Sequence, residues 1–273
     1  MSTLRAAPSP SDPASLLRVP SAEAWTAMSA SVRSRFIGEA TAALQQQADL
    51  MSESSRHVRA KHRAFATLCD HFAREGHIIY VNMDLPILYP EEPPFSPDLF
   101  AVLDLVDPGE DDQRRAWVVA EEGRGLDLLL EVTDHGDRKK DLVDNVERYA
   151  RLGITEYFIF DRLRCRVIGY RQPWKGAPYR PIAQRGRWLA STVLGLNLGM
   201  SGEHLSFAVG ESEVYGSAEL VEQLNRAIEG LALRAEAEDA ALAEAERRAE
   251  AQAAALAEAE RRIAELLARL GEG

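Results

Sequence analysis

Residues 128–133 read LLLEVT, and residues 153–161 read GITEYFIFD. The first run is apolar except for Glu131 and the terminal Thr133, which is typical of a strand buried on both faces. Between the two runs, residues 141–152 carry apolar side chains at helical spacing and are followed by Gly153, which predicts a helix and its end. A strand, a helix and a second strand in this order predict a right-handed crossover between parallel strands. The fold class we expect is therefore α/β.

Outward from this unit, the hydrophobic period changes several times along the chain. Helical patterns are predicted at residues 21–48, with a break, and at 53–75. Period-two or short apolar runs predict strands, and these lie at residues 77–81, 85–89, 99–106, 117–120, 166–171 and within 188–207. We expect a disordered leader over residues 1–20, which are rich in Pro, Ser and Ala, and a mixed sheet flanked by helices over residues 21–212.

The C-terminal segment, residues 217–271, is predicted to be one long helix. The heptapeptide LAEAERR occurs at residues 242–248 and again at 256–262, fourteen residues later. Apolar residues recur at every seventh position, and they are Ile228, Ala235, Leu242, Ala249, Leu256, Ile263 and Leu270. This heptad register predicts a coiled coil and a homo-oligomer, although the second seam contains Glu238 and Gln252, so a solitary helix remains the alternative.

Composition and charge limit the classes of protein that the chain can represent. The chain has 273 residues, 46% hydrophobic and 27% charged residues, and a net charge of −11. No apolar run approaches the roughly 20 residues that span a bilayer, and no apolar signal core follows the N-terminus, so we expect a cytoplasmic protein without a membrane partner.

The negative charge is unevenly distributed. Residues 162–187 contain eight basic side chains and no acid. Such a stretch indicates either a solvated strand pair or a surface that binds phosphates. For contacts with a nucleic-acid backbone, the candidates within it are Arg162, Arg164, Arg166, Arg171 and Lys175.

Two acids stand where strands begin or end, and they carry the chemistry. Asp98 follows Pro97 just before one predicted strand, and Glu131 lies near the end of the most apolar strand. If these strands are neighbours, both carboxylates reach one point and could bind Mg²⁺ or Mn²⁺, with the backbone carbonyl of Val132 as a third ligand. A buried, unpaired glutamate is costly, which favours a role for Glu131; Asp98 could instead be an ordinary turn residue.

These motifs, in this order, resemble the Uma2-type endonucleases, a bacterial group with the PD-(D/E)XK restriction-endonuclease-like fold. The resemblance runs from about residue 53 to 207 and rests on SPD at residues 96–98, LEV at 130–132, Asp141 before a helix with Tyr149, and the run at 153–161. It implies metal-dependent phosphodiester cleavage, with DNA as the expected substrate and the acids at Asp98 and Glu131 as ligands.

The lysine that such a site uses is displaced in this sequence. Position 133, two residues after the glutamate, is a threonine, and the place on the following helix that holds a lysine in many similar sequences is Asn145. Lys139 and Lys140, just upstream, are therefore the candidate catalytic lysines, each with a long flexible stem. The alternative is a catalytically degenerate protein that binds nucleic acid or a protein partner.

An accessory acid from the first helix of the fold is also expected. Glu53 is the nearest candidate, and His57 follows it one turn later. Asp141 and Asn145 complete the set of possible accessory residues around the site.

Overall fold

The computed structural model describes residues 17–51, 54–106, 108–109, 112–133 and 140–271. The chain divides into two compact units, one through Ser217 and one from Ala218 onward. The helices are α1 (Ala22–Ala27), α2 (Ala30–Met51), α3 (Ser55–Glu75), α4 (Val119–Glu122), α5 (Asn145–Arg151) and α6 (Ser217–Gly271). A π-helical turn, Lys140–Asp144, leads into α5, and a 3₁₀ turn covers Arg162–Arg164.

Thirteen strands are present in the described part of the chain. The first six are β1 (Ile79–Asn82), β2 (Ile87–Leu88), β3 (Leu99–Leu103), β4 (Trp117–Val118), β5 (Leu128–Thr133) and β6 (Glu156–Asp161). The others are β7 (Arg166–Arg171), β8 (Arg180–Pro181), β9 (Gln184–Arg185), β10 (Trp188–Ala190), β11 (Asn197–Ser201), β12 (His204–Val209) and β13 (Ser212–Val214).

The main sheet has six strands in the order β1-β3-β5-β6-β7-β8. Its one parallel pair is β5–β6, with Leu128 opposite Glu156 and Thr133 opposite Asp161; the other neighbours are antiparallel. A second sheet has the order β13-β12-β11-β10-β9, and β2 and β4 form a parallel pair. The α/β prediction with a mixed sheet, flanking helices and a long C-terminal helix is confirmed.

Two hydrophobic cores lie on opposite faces of the main sheet. On one face, Leu128, Leu130 and Val132 of β5 pack with residues of α3 and of the five-stranded sheet. On the other face, Leu129 of β5 packs in a cluster that includes Tyr149 of α5. This alternation turns Glu131 toward the face that α5 covers, because successive side chains of a strand point to opposite sides.

Helix α3 is fixed at both ends. Ser54 is its N-cap, and the Ser54 hydroxyl accepts a hydrogen bond from the His57 N–H at 3.1 Å. Gly76 ends the helix in the left-handed conformation, with φ of 68°, and its N–H donates to the Phe72 carbonyl. The backbone groups at both ends of α3 are therefore partly satisfied by these local caps.

In the unit from Ala218 onward, the described residues form α6. This helix, with Ser217 at its start, has 55 residues, and its large apolar side chains from Leu220 to Leu267 are exposed. Within the described residues, no helix is both long enough and apolar enough to cross a membrane.

Candidate metal and nucleic-acid site

The register of β3 against β5 brings the two predicted acids together. Leu99 pairs with Leu130 in an antiparallel ladder. The residue before Leu99, which is Asp98, therefore lies opposite the residue after Leu130, which is Glu131. Because of this pairing, both acids lie at the same end of the sheet, where β3 begins and β5 ends.

Each acid is positioned by the backbone of the other strand. The Asp98 N–H donates to Glu131 Oε2 at 3.3 Å, and the Val132 N–H donates to Asp98 Oδ2 at 2.7 Å. The Tyr149 hydroxyl, from α5, donates to Glu131 Oε1 at 3.2 Å. The carboxylates are thus oriented by hydrogen bonds from strand and helix together.

Helix α3 adds two basic side chains at the same point. His57 Nε2 lies 3.1 Å from Asp98 Oδ1. Lys61, one turn later on the same face of the helix, has its Nζ 3.7 Å from Asp98 Oδ1 and 2.8 Å from Asp84 Oδ1. Asp98 consequently lies within reach of an imidazole, an ammonium and a backbone N–H.

The protonation of Asp98 reflects these neighbours. Burial alone would raise the pKa of its carboxyl group, but the hydrogen bond and charge of His57, the Val132 N–H and the charge of Lys61 together hold that pKa below its ordinary value. Asp98 is therefore an anion at neutral pH, which is the form that binds a cation.

Lys61 and Asp84 are absent from the sequence-based candidates. The helical pattern did contain a signal for the lysine: Lys61 precedes Ala64 by three residues and Leu68 by seven, so it lies on the buried stripe of α3. A lysine at such a position is rarely buried without a partner. The partner, Asp84, belongs to a turn whose position only the tertiary structure reveals.

Several sequence candidates lie partly or wholly outside the described residues. Lys139 and Glu53 are outside them, and for Lys140 and Asp141 only the backbone of the π-helical turn is described. Asn145 is buried at the start of α5, one turn before Tyr149. The Val132 N–H holds Asp98, while the predicted role of the Val132 carbonyl stays a prediction.

The sheet divides the basic stretch between its two ends. Thr133 pairs with Asp161, so Arg162 and Arg164, which follow Asp161, lie at the end of the sheet that carries Glu131. Arg166 joins them, because it pairs with Asp161 across the β6–β7 ladder. Among the described residues at this end, the three arginines and the one buried carboxylate of Asp161, with which Arg164 and Arg166 form ion pairs, leave a net positive charge beside the acids.

The remaining candidates lie at the far end of β7. Arg171 Nε donates to the buried Glu156 at 2.6 Å, and Lys175 lies beside Gly153. The six residues of β7 separate the two groups by about 17 Å at roughly 3.3 Å per residue. Arg171 is therefore paired with Glu156 far from the acids, and the predicted nucleic-acid contacts of Arg171 and Lys175 stay predictions. Arg162, Arg164 and Arg166 are the group next to the acids.

The donor set of Asp98 and Glu131 fits Mg²⁺ or Mn²⁺. Both ions favour oxygen ligands, and Mg²⁺ is commonly held by one or two carboxylates while it keeps several waters. Across the described residues, no three His, Cys, Asp or Glu side chains gather into a group that could hold a metal ion. An ion held by the two acids would therefore depend on water, or on phosphate oxygens, for its other ligands.

Comparison with known proteins agrees with the motifs. No curated protein matches the chain. Among solved structures, one described as a putative nuclease belonging to DUF820 from Anabaena variabilis matches with 11% sequence identity and a TM-score of 0.42, covering 54% of this chain and 79% of that one. The family Uma2, described as "putative restriction endonuclease", matches residues 44–203, which is more than half of the chain and includes both acids. On this match, the chain belongs to the Uma2 family.

Proposed function

We propose that the protein is a Mg²⁺-dependent endonuclease that hydrolyses phosphodiester bonds in DNA, with Mn²⁺ as an alternative ion. One observation carries the proposal: Asp98 and Glu131 lie opposite each other at one sheet edge, hydrogen-bonded through the Asp98 N–H at 3.3 Å. Family membership supports a nuclease in general. The metal and the substrate are inferred from the two carboxylates and from the arginines beside them.

The chain's own residues have separable roles in this proposal. Asp98 and Glu131 would hold the ion, which supplies Lewis-acid polarisation of the phosphate. Tyr149 orients Glu131, while His57 and the Val132 N–H orient Asp98. Removing a hydrogen bond that orients a metal ligand typically changes metal affinity or activity by about 10–100-fold.

A metal titration followed by thermal melting tests the ion site. We expect Mn²⁺ or Mg²⁺ at about 100 times its Kd to stabilise the wild-type protein by about 2.7 kcal/mol, because the ion binds only the folded chain. Asp98→Asn should remove this stabilisation. Asp104→Asn, at the other end of β3 and exposed, is the matched control and should keep it.

The same titration separates the proposal from a second candidate function. Asn145 is buried where many similar sequences hold a lysine. The carboxylate of Asp98 already has His57, Lys61 and the Val132 N–H as partners. Both observations favour a degenerate protein that binds nucleic acid or a partner protein without cutting it. No ion-dependent shift in the wild-type melting temperature, together with no nicking of plasmid DNA, would favour that second function over the first.

Phosphate contacts are proposed at the arginine edge defined by Arg162, Arg164 and Arg166. Each phosphate contact that is lost should weaken DNA binding and lower the slope of log K against log salt by about one. We therefore expect Arg162→Ala with Arg164→Ala to reduce the slope by about two, measured by fluorescence anisotropy at several salt concentrations.

The control for this edge is drawn from the same basic stretch. Arg180 and Arg185 are both exposed and lie beyond β7. The double substitution Arg180→Ala with Arg185→Ala removes the same charge, so an equal loss of slope in both double variants would show that only total charge matters and would refute a local edge.

Helix α6 is proposed to join copies of the chain through its heptad seam. Leu242 and Leu256 are 59% and 62% exposed, and an unpaired row of such side chains is unfavourable in water. We expect Leu242→Glu with Leu256→Glu to convert the oligomer to a monomer, measured by light scattering of the full chain. Ala240→Glu with Ala254→Glu, at the same spacing off the seam, should keep the wild-type mass. A monomeric wild-type chain contradicts the coiled coil.

A further inference from the structure

The chain contains four lysines, at positions 61, 139, 140 and 175. Lys175 lies beside Gly153, at the end of the sheet opposite to the acids. Lys139 and the side chain of Lys140 are outside the described residues. Among the described lysine side chains, Lys61 is the one that the structure brings close to Asp98.

Lys61 is buried and its ammonium lies close to two carboxylates. Its side chain is 3% exposed, and its Nζ lies between Asp84 Oδ1 at 2.8 Å and Asp98 Oδ1 at 3.7 Å. Burying an ammonium costs several kcal/mol unless strong partners compensate it. An apolar side chain would suit this stripe of α3 on packing grounds alone, because Ala64 and Leu68 continue it. The presence of a lysine therefore needs a reason other than helix packing.

Asp84 holds the ammonium from a strained position. Its φ is 56°, in the left-handed region, which is unfavourable for most residues other than glycine, although Asp adopts it more readily than most. The Asp84 N–H donates to the Pro97 carbonyl at 3.2 Å. The turn that anchors Lys61 is thus tied to the residue directly before Asp98.

We infer that Lys61, anchored by Asp84, is the lysine of the phosphodiester site and positions charge around Asp98. This inference rests on the proposed function. Its ammonium, 3.7 Å from Asp98 Oδ1, offsets the negative charge of that carboxylate in the resting site and acts on the bound phosphate through Asp98. Lys61 is a positioning residue, since its described contacts are to Asp84 and Asp98 rather than to the reacting atoms.

The test combines plasmid nicking with direct Mn²⁺ binding, followed by electron paramagnetic resonance. Lys61→Met keeps the apolar stem and removes the charge. We expect nicking to fall at least about 100-fold and Mn²⁺ to bind about tenfold more tightly, because a positive charge 3.7 Å from Asp98 no longer repels the ion. Arg59→Met, on an exposed face of α3, removes one positive charge from the same helix and should change neither quantity.

Two further variants keep the test independent of folding defects. Asp84→Asn suits the left-handed turn and keeps an oxygen acceptor for the buried Lys61 but removes the ion pair, so the melting temperature should fall, and nicking measured well below that temperature should fall about tenfold. The double variant Lys61→Met with Asn145→Lys returns a lysine from α5, one turn before the tyrosine that contacts Glu131, and should regain at least tenfold of the lost nicking.

The outcomes separate this inference from the proposed function. If the wild-type protein does not nick DNA, the proposed function fails, while an unchanged Mn²⁺ affinity in Lys61→Met would overturn the role of Lys61 by itself. Nicking by Lys61→Met at the wild-type rate also overturns the role of Lys61. A loss of nicking that is confined to Lys139→Met or Lys140→Met overturns it as well. Loss of nicking with tighter Mn²⁺ binding supports it.

Discussion

Glu131→Gln is expected to lower Mg²⁺-dependent nicking of supercoiled DNA by about 10²–10³-fold, the range typical for loss of one group that stabilises a transition state. The substitution keeps the shape of the side chain. The amide oxygen of the glutamine can still accept from the Asp98 N–H, and its NH2 group can donate to the Tyr149 hydroxyl oxygen, so the sheet edge should keep its structure. What disappears is one of the two negative charges that would hold the ion.

The control for Glu131 lies on the neighbouring helix. Glu147 of α5 is exposed, and Glu147→Gln removes the same charge without touching the sheet edge. Both variants should melt at the wild-type temperature in the absence of metal. Wild-type nicking by Glu131→Gln, in Mg²⁺ or in Mn²⁺, would rule out the two-carboxylate site.

Glu156→Ala is expected to lower the free energy of unfolding by about 3–5 kcal/mol, which is the usual cost of breaking a buried ion pair. The Glu156 side chain is fully buried at the start of β6. Its carboxylate accepts hydrogen bonds from Arg171 Nε at 2.6 Å and from the N–H and hydroxyl of Thr192, each at 2.8 Å. The Ser191 hydroxyl and the Val193 N–H also donate to it.

The size of the Glu156 effect follows from what is left behind. Removing the carboxylate leaves several donors of residues 191–193 facing a cavity, and each unsatisfied donor costs about 1–3 kcal/mol. Urea denaturation measures the change. Glu39→Ala is the comparison: its ion pair with Arg35 is exposed, and such pairs contribute little, so stability should change by less than about 1 kcal/mol. A Glu156→Ala protein as stable as Glu39→Ala would show that the buried contacts of Glu156 do not stabilise the fold.

The sequence predicted the parts of the fold that depend on local pattern. The apolar run of β5, the helix after it and the return to β6 follow from hydrophobic period and from Gly153, and the structure has the predicted parallel pair. Residues 117–120 were predicted as a strand, but only Trp117–Val118 are, because the chain turns into α4 at Val119. Short runs of this kind carry too little period to distinguish the two states.

Long-range contacts explain what the sequence could not reveal. The pattern identified Asp98 and Glu131 individually, but their alignment depends on the register of β3 and β5. Lys61 was overlooked because its partner Asp84 is twenty-three residues away in a turn. Likewise, nothing local to Glu156 indicates that residues 191–193 donate to it. The basic stretch looked continuous, yet the length of β7 puts its two parts at opposite ends of the sheet.

The cross-strand hydrogen bonds at the sheet edge have a consequence for how the site is made. The Asp98 N–H serves Glu131, and the Val132 N–H serves Asp98, so each carboxylate is held in place by the ladder itself. A slip of β3 by a single residue along β5 would break both bonds and turn one set of side chains to the other face. Correct strand alignment and a competent site are therefore the same folding event, and a misaligned chain carries both acids without the pair.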